Sequence, residues 1–212
     1  METLIIMSVI AMFLSALFWA MVSGNKQRRK ALSGLVAPLG FDVLSKFDEE
    51  SADHFHQHKP MMGLMMNVKA VCVADSGSIR IVVMEYHVSK GFYRQYFLGI
   101  NRSISAPEIV IKRRTPSTKS VWTASWGDVL FQLDFSDDPE FDAKFIVRGD
   151  PEQTRAFLNS NRRKSLCEVS DAPDCFSVCG KSVLLEFPNR IDGSTFERHV
   201  GQCLALTTLM MD

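Results

Sequence analysis

The sequence predicts an α+β protein: one N-terminal membrane-spanning helix, then one soluble domain built from an antiparallel sheet and a few packed helices. Three observations lead there. Residues Thr3 to Gly24 carry no charge and are followed at once by Lys26, Arg28, Arg29 and Lys30. Runs rich in Val, Ile, Tyr and Phe recur between short Gly- and Ser-containing breaks, the pattern of hairpins. Later segments open on helix-capping sequences and repeat apolar residues at helical spacing.

The apolar run, residues 4–22, is long enough for a helix across a ~30 Å hydrocarbon core. A cleaved signal peptide would need a cationic start and a shorter apolar stretch, whereas Glu2 is the charged side chain ahead of this run. A buried core helix is a poor match to the basic flank. The anchor is therefore expected to be retained. Four cations after the run place the C-terminal side in the cytoplasm and the N-terminus outside, as in a single-pass protein of a bacterial inner membrane. Trp19, Lys26, Arg28, Arg29 and Lys30 are the expected membrane-interface residues. Ala16, Ala20 and Gly24 repeat every four residues, a small-residue face through which a homodimer could form.

Three segments follow from this reading: an anchor over 1–24, a basic juxtamembrane segment with a short helix over 25–40, and an α+β domain over 41–212. The helix is expected to present Leu32, Leu35, Val36 and Leu39 on one face and to stop near Pro38 and Gly40. Asp48 to His58 reads as a helical turn or a loop. Leu64 to Ala74, Ile79 to Val88 and Phe92 to Ile100 form a predicted meander, and Glu108 to Lys112 a further strand. Phe141 to Val147 alternates as a strand. Asp150-Pro151-Glu152-Gln153 opens a helix through Phe157 and Leu158, and Ser160 is the expected cap of the next. Phe176 to Cys179 and Ser182 to Phe187 read as a hairpin across Gly180-Lys181, and Ser194 to Glu197 as the capping box of a final helix.

Charge narrows the function classes. The chain has 24 basic and 24 acidic residues, so no global field argues for nucleic acid. The first 30 residues hold four basic residues and one acidic one, which leaves the rest a formal net charge of −3. Five cysteines, an odd number, do not suggest a disulfide framework and agree with a reducing compartment.

No catalytic or cofactor motif of high specificity occurs, and no cofactor is expected. The sharpest local feature is the stretch from His54 to Met66. Imidazole and thioether suit copper, so His54, His56, His58, Met61, Met62 and Met65 are candidate metal ligands, set against a solvated loop with methionine filling core space. Cys175 and Cys179, with Cys167 upstream, lack the second close pair of a zinc site. The acidic run Asp134, Asp137, Asp138, Glu140 and Asp142 could attract a cation or simply form an exposed loop. Arg113, Arg114 and Lys119, and Arg162, Arg163 and Lys164, are two basic clusters, read as solvated faces or lipid contacts. An enzyme would need a site assembled from distant residues, with His87, Asp150 and Glu197 as acid/base candidates.

Residues 141–158, residues 180–190 with the closing helix, and Leu39-Gly40-Phe41 after the basic cluster resemble an uncharacterised family of bacterial single-span membrane-anchored proteins. The resemblance implies an α+β domain facing the cytoplasm and no defined activity. The expected function is a noncatalytic binding or assembly domain, tethered through residues 4–22 and serving an unknown protein partner. The alternatives are the distributed enzyme site or a His/Met metal-binding protein.

Overall fold

The computed structural model describes residues 26–44, 48–58, 68–89, 92–103, 105–114, 131–169, 173–188 and 191–211. Among these no helix is long and apolar enough to cross a membrane. The expected span over 4–22, Trp19 and the Ala16, Ala20, Gly24 face all lie outside the described residues.

A nine-stranded antiparallel sheet organises the domain, so the α+β class expected from the pattern is observed. The chain enters through helix α1, described over residues 26–36, and a 3-10 turn over Ala37–Leu39. Gly40, with φ of 79°, ends it in the left-handed region that a side chain would resist. Strand β1 (Asp42–Leu44) follows, then helix α2 (Glu49–His58), which settles the uncertain segment as a helix. Asp48 caps it by accepting from the Ser51 amide at 2.9 Å and the Ser51 hydroxyl at 2.8 Å.

Strands β2 (Val68–Ser76), β3 (Ile79–Ser89) and β4 (Phe92–Asn101) form the expected meander. Gly77 turns the first hairpin at φ of 61°. Strand β5 (Ala106–Arg113) and the short β6 (Phe131–Leu133) come next. Helices α3 (Pro139–Lys144), α4 (Pro151–Phe157) and α5 (Ser160–Glu168) alternate with β7 (Phe145–Gly149), and the hairpin β8 (Cys175–Gly180) and β9 (Ser182–Pro188) leads into α6 (Gly193–Met211).

The spatial order is β1-β2-β3-β4-β9-β8-β5-β7-β6. The last hairpin is thus inserted between β4 and β5, with its Gly180-Lys181 tip beside the end of β4 and the start of β5. There the Asn101 amide donates to the Lys181 carbonyl at 2.8 Å.

Three local expectations are corrected. Phe141 to Val147 is not one strand: Asp138 accepts from the Phe141 amide at 3.2 Å and Pro139 sits at the start of α3, so the strand begins only at Phe145. Asn159 rather than Ser160 caps α5, through the Arg162 amide at 3.0 Å. Asp192, not Ser194, caps α6, accepting from the Ser194 and Thr195 amides at 2.9 and 3.1 Å.

The sheet's two faces are both apolar. One packs against α1, α6 and the α3–α5 region through Leu32, Val36, Ile81, Val83, Phe97 and Phe196. The other carries Val71, Val82, Met84 and Leu98, with Phe55 of α2 edge-on to Tyr96 at 5.5 Å between ring centres.

Candidate functional site

The structure singles out the junction where α1 meets the sheet. On β3, Ile81, Val83 and Glu85 alternate toward the same face. Glu85 is therefore aimed into the core, and it is 1% exposed. A buried carboxylate needs charge and hydrogen-bond partners. Arg28 supplies them: its Nε donates to Glu85 Oε1 at 3.1 Å and its Nη2 bonds Oε2. The same Nη2 donates to the Ile191 carbonyl at 2.9 Å, while the Ile191 amide donates to Glu85 Oε2 at 3.1 Å. Four groups close one network that ties α1, β3 and the entry to α6. Beneath it Leu32 and Val36 are fully buried.

Of the expected interface cations, Lys26, Arg29 and Lys30 are exposed on α1, whereas Arg28 turns inward. Nearby, His199 of α6 stacks on Phe187 at 3.7 Å and stands edge-on to Phe97 at 5.6 Å. Its Nδ1 is buried without a partner, and burial, with Arg198 adding to it, holds the imidazole below its ordinary pKa.

The histidines of α2 separate rather than converge on a ligand. His58 is 4% exposed, its Nδ1 lies 2.7 Å from Ser177 Oγ and its Nε2 2.9 Å from Ser182 Oγ. Both ring nitrogens are engaged, so a metal could bind either one only by displacing the serine hydroxyl it holds. His54 and His56 are half-buried on the helix, and burial lowers the pKa of His54. Met61, Met62 and Met65 lie outside the described residues. Among the described residues no group of three or more His, Cys, Asp or Glu could hold a metal ion.

The acidic run serves structure instead. Asp137 and Asp138 bond the Arg163 guanidinium at 2.8 and 2.9 Å, and Arg163 is only 9% exposed. Arg162 lies over Phe157 at 4.3 Å, Arg114 Nε donates to the Asp142 and Phe145 carbonyls, and Lys164 is exposed. Lys119 lies outside the described residues. The five cysteines are free thiols, and burial pushes Cys72 and Cys203 up to about 12.

The acid/base candidates sit on three elements. His87 is on β3, Asp150 caps α4 through the Gln153 amide at 2.9 Å, and Glu197 is exposed on α6. An open hollow of about 270 Å³ lies at the β2–β3 turn, lined by Asp75, Ser78, Arg80 and Arg102 among others. Its arginines are spoken for: Arg80 pairs with Asp48 at 3.2 Å and Arg102 with Glu50 at 2.6 Å. These pairs hold α2 to the sheet. They also shift the acids: burial alone would raise Asp48, but Ser51 and Arg80 outweigh it and hold it low, and Arg102 lowers Glu50.

Glu85 was the residue that sequence reading missed. Its signal was present, since a lone acid occupies an inward position of an alternating apolar strand.

No family model matches the chain, and no curated protein matches it. A solved structure is similar: the crystal structure of the mycobacterial trehalose monomycolate transport factor A, TtfA, matches with a TM-score of 0.59 at 10% sequence identity, covering 89% of this chain and 97% of that chain. At that identity the likeness is one of fold.

Proposed function

We propose that this chain is a membrane-tethered, noncatalytic domain at the cytoplasmic face of a bacterial inner membrane, where it binds a protein partner or holds an assembly in place. The observation that carries this reading is the Arg28–Glu85 junction. A stop-transfer signal needs only cations near lipid. Here one of four turns inward and is bonded to a buried carboxylate, which makes α1 an integral part of the domain. A domain joined so closely to an anchor keeps one orientation to the bilayer, a property that suits assembly on a membrane. Two further points support the reading. The two arginines that line the β2–β3 hollow are committed to ion pairs. The fold is shared with a protein described as a transport factor, a description that fits a binding role.

The test exploits where α1 begins. A Gly/Ser insertion after Lys30 would split the helix, whereas one at Asn25 leaves the described domain intact. The Asn25 variant is expected to stay in the membrane fraction after alkaline carbonate but to lose the partner that in-cell crosslinking recovers with the wild type. Retention of that partner would remove orientation from the function. A cysteine replacing exposed Lys181 is expected to react with an impermeant reagent only after permeabilisation, and reaction in intact cells would overturn the cytoplasmic assignment.

A further inference from the structure

We propose that the outward face of α1, carrying Lys26 and Lys30, lies against anionic phospholipid headgroups, so that the domain is docked on the bilayer as well as tethered to it. The proposal rests on the tethered reading above. Residues 26–36 contain four cations and no acidic residue. At 100° per residue, Arg28, Leu32, Leu35 and Val36 share one stripe. That stripe is the one held to the sheet, by the Glu85 network and by the burial of Leu32 and Val36 at 1% and 0% exposure. Gly193, at the start of α6, leaves the room that Leu35 occupies, since a Cβ there would come within 3.4 Å of it.

The rotation of α1 is thereby fixed. Lys26 and Lys30, one turn apart, fall on the opposite side and are exposed. Among the described residues neither enters an ion pair, while Arg28 has Glu85. Ser33 and Gly34 continue that outward side with short, exposed residues, so no bulky side chain holds the helix away from a flat surface.

Reach makes lipid the occupant. Lys26 lies four positions after Val22, so even a fully extended path keeps them within about 14 Å. The headgroup layer itself takes up roughly 5 Å of that distance. Lys30 stands about 6 Å further along the helix. Lys26 is therefore held within about one Debye length of the headgroups, ~8 Å at physiological salt, and Lys30 within about two, where an anionic leaflet attracts them, Lys26 the more strongly.

The full chain in nanodiscs tests this, because both bilayer faces are then equivalent and topology does not interfere. A photo-crosslinking benzoylphenylalanine replaces Ser33, and lipid adducts are read by mass spectrometry. With one third phosphatidylglycerol, Ser33 is expected to give lipid adducts, and the same probe at Lys181 none. Pure phosphatidylcholine, or the K26Q/K30Q double variant, should weaken docking about 30-fold. Equal adducts in both lipids, equal adducts in the variant, or adducts at Lys181 would overturn the proposal. A chain that carbonate strips from native membranes would remove the tether and the docking together. A chain that stays embedded yet gives no Ser33 adduct would remove the docking alone, as would a Ser33 crosslink captured in cells by an acidic protein instead of lipid.

Discussion

Arg28 and Glu85, 57 residues apart in sequence, form a two-toothed ion pair that fastens the first described helix to the third strand. Glu85 is 1% exposed and the Arg28 side chain 26%, so the carboxylate is the partner that cannot turn to water when the pair is broken. This asymmetry fixes the direction of the first prediction.

Arg28→Ala should destabilise the domain by about 2–4 kcal/mol, because it strands a buried charge beside the Ile191 backbone. The double variant R28A/E85Q should recover part of that loss, since the group left behind is neutral. Denaturant titration of the detergent-solubilised chain reads both. A double variant no more stable than R28A would mean that the charge is not the cost.

Gly99 of β4 faces Thr207 of α6 so closely that a Cβ on the glycine would lie 1.9 Å from Thr207 Oγ1. Gly99→Ala should therefore push α6 off the sheet and cost about 2–3 kcal/mol. Removing the hydroxyl in G99A/T207A relieves the worst contact but leaves one of 3.0 Å to Cβ, so rescue should be partial. Additive losses in the double-mutant cycle would refute the close approach.

His58→Phe removes both hydrogen bonds to the buried hydroxyls of Ser177 and Ser182. A loss of about 2–3 kcal/mol is expected, against roughly 1 kcal/mol for Ser177→Ala, which leaves the Ser182 bond in place. Thermal melts decide it, and an unaffected H58F variant would show that the imidazole contributes only volume.

His199 and His54 both have pKa values held below the ordinary 6.5 by burial. For each, the unfolded chain takes up its proton first as the pH falls. Stability is thus full above about 6.5 and declines below it, by at most ~1.4 kcal/mol per pH unit for each histidine. His199→Phe keeps a ring against Phe187 and should flatten part of that decline, the rest belonging to His54. A pH profile of Tm identical to that of the wild type would exclude His199 as a contributor.

Asp138→Ala removes the cap of α3 and one of two carboxylates on Arg163. A loss of about 2 kcal/mol is expected from the two effects combined. The circular dichroism melt should show it, and it should exceed the loss for D137A, because Asp137 is 57% exposed and caps nothing.

Much of the sheet was legible because hairpins are short-range objects. Gly77, and Gly180 with Lys181, set their turns within a few residues, and the strands on either side alternate. The same local chemistry appears twice as Asp-Pro, at 138–139 and 150–151. It was read correctly at the second, where β7 had just ended, and overlooked at the first, where Phe141, Phe145 and Val147 imitate a strand.

The candidate site was only half legible. The basic turn was visible as a cluster, but its division between inward Arg28 and outward Lys26 and Lys30 depends on which stripe of α1 finds a partner. The acidic run resembled a cation site until Arg163, 25 and 26 residues away, was brought onto Asp138 and Asp137.

The sequence by itself determined the α+β class, the hairpins and the helix that opens at Asp150, since each depends on propensities and caps acting over a few residues. Tertiary structure alone decided that β8 and β9 enter between β4 and β5, that His58 is shared by two serines, and that Glu85 takes Arg28. The reason is burial. A charge or imidazole taken out of water must be met by whatever group the fold brings beside it, and the strand order that brings it is set by long-range pairing that no local pattern records.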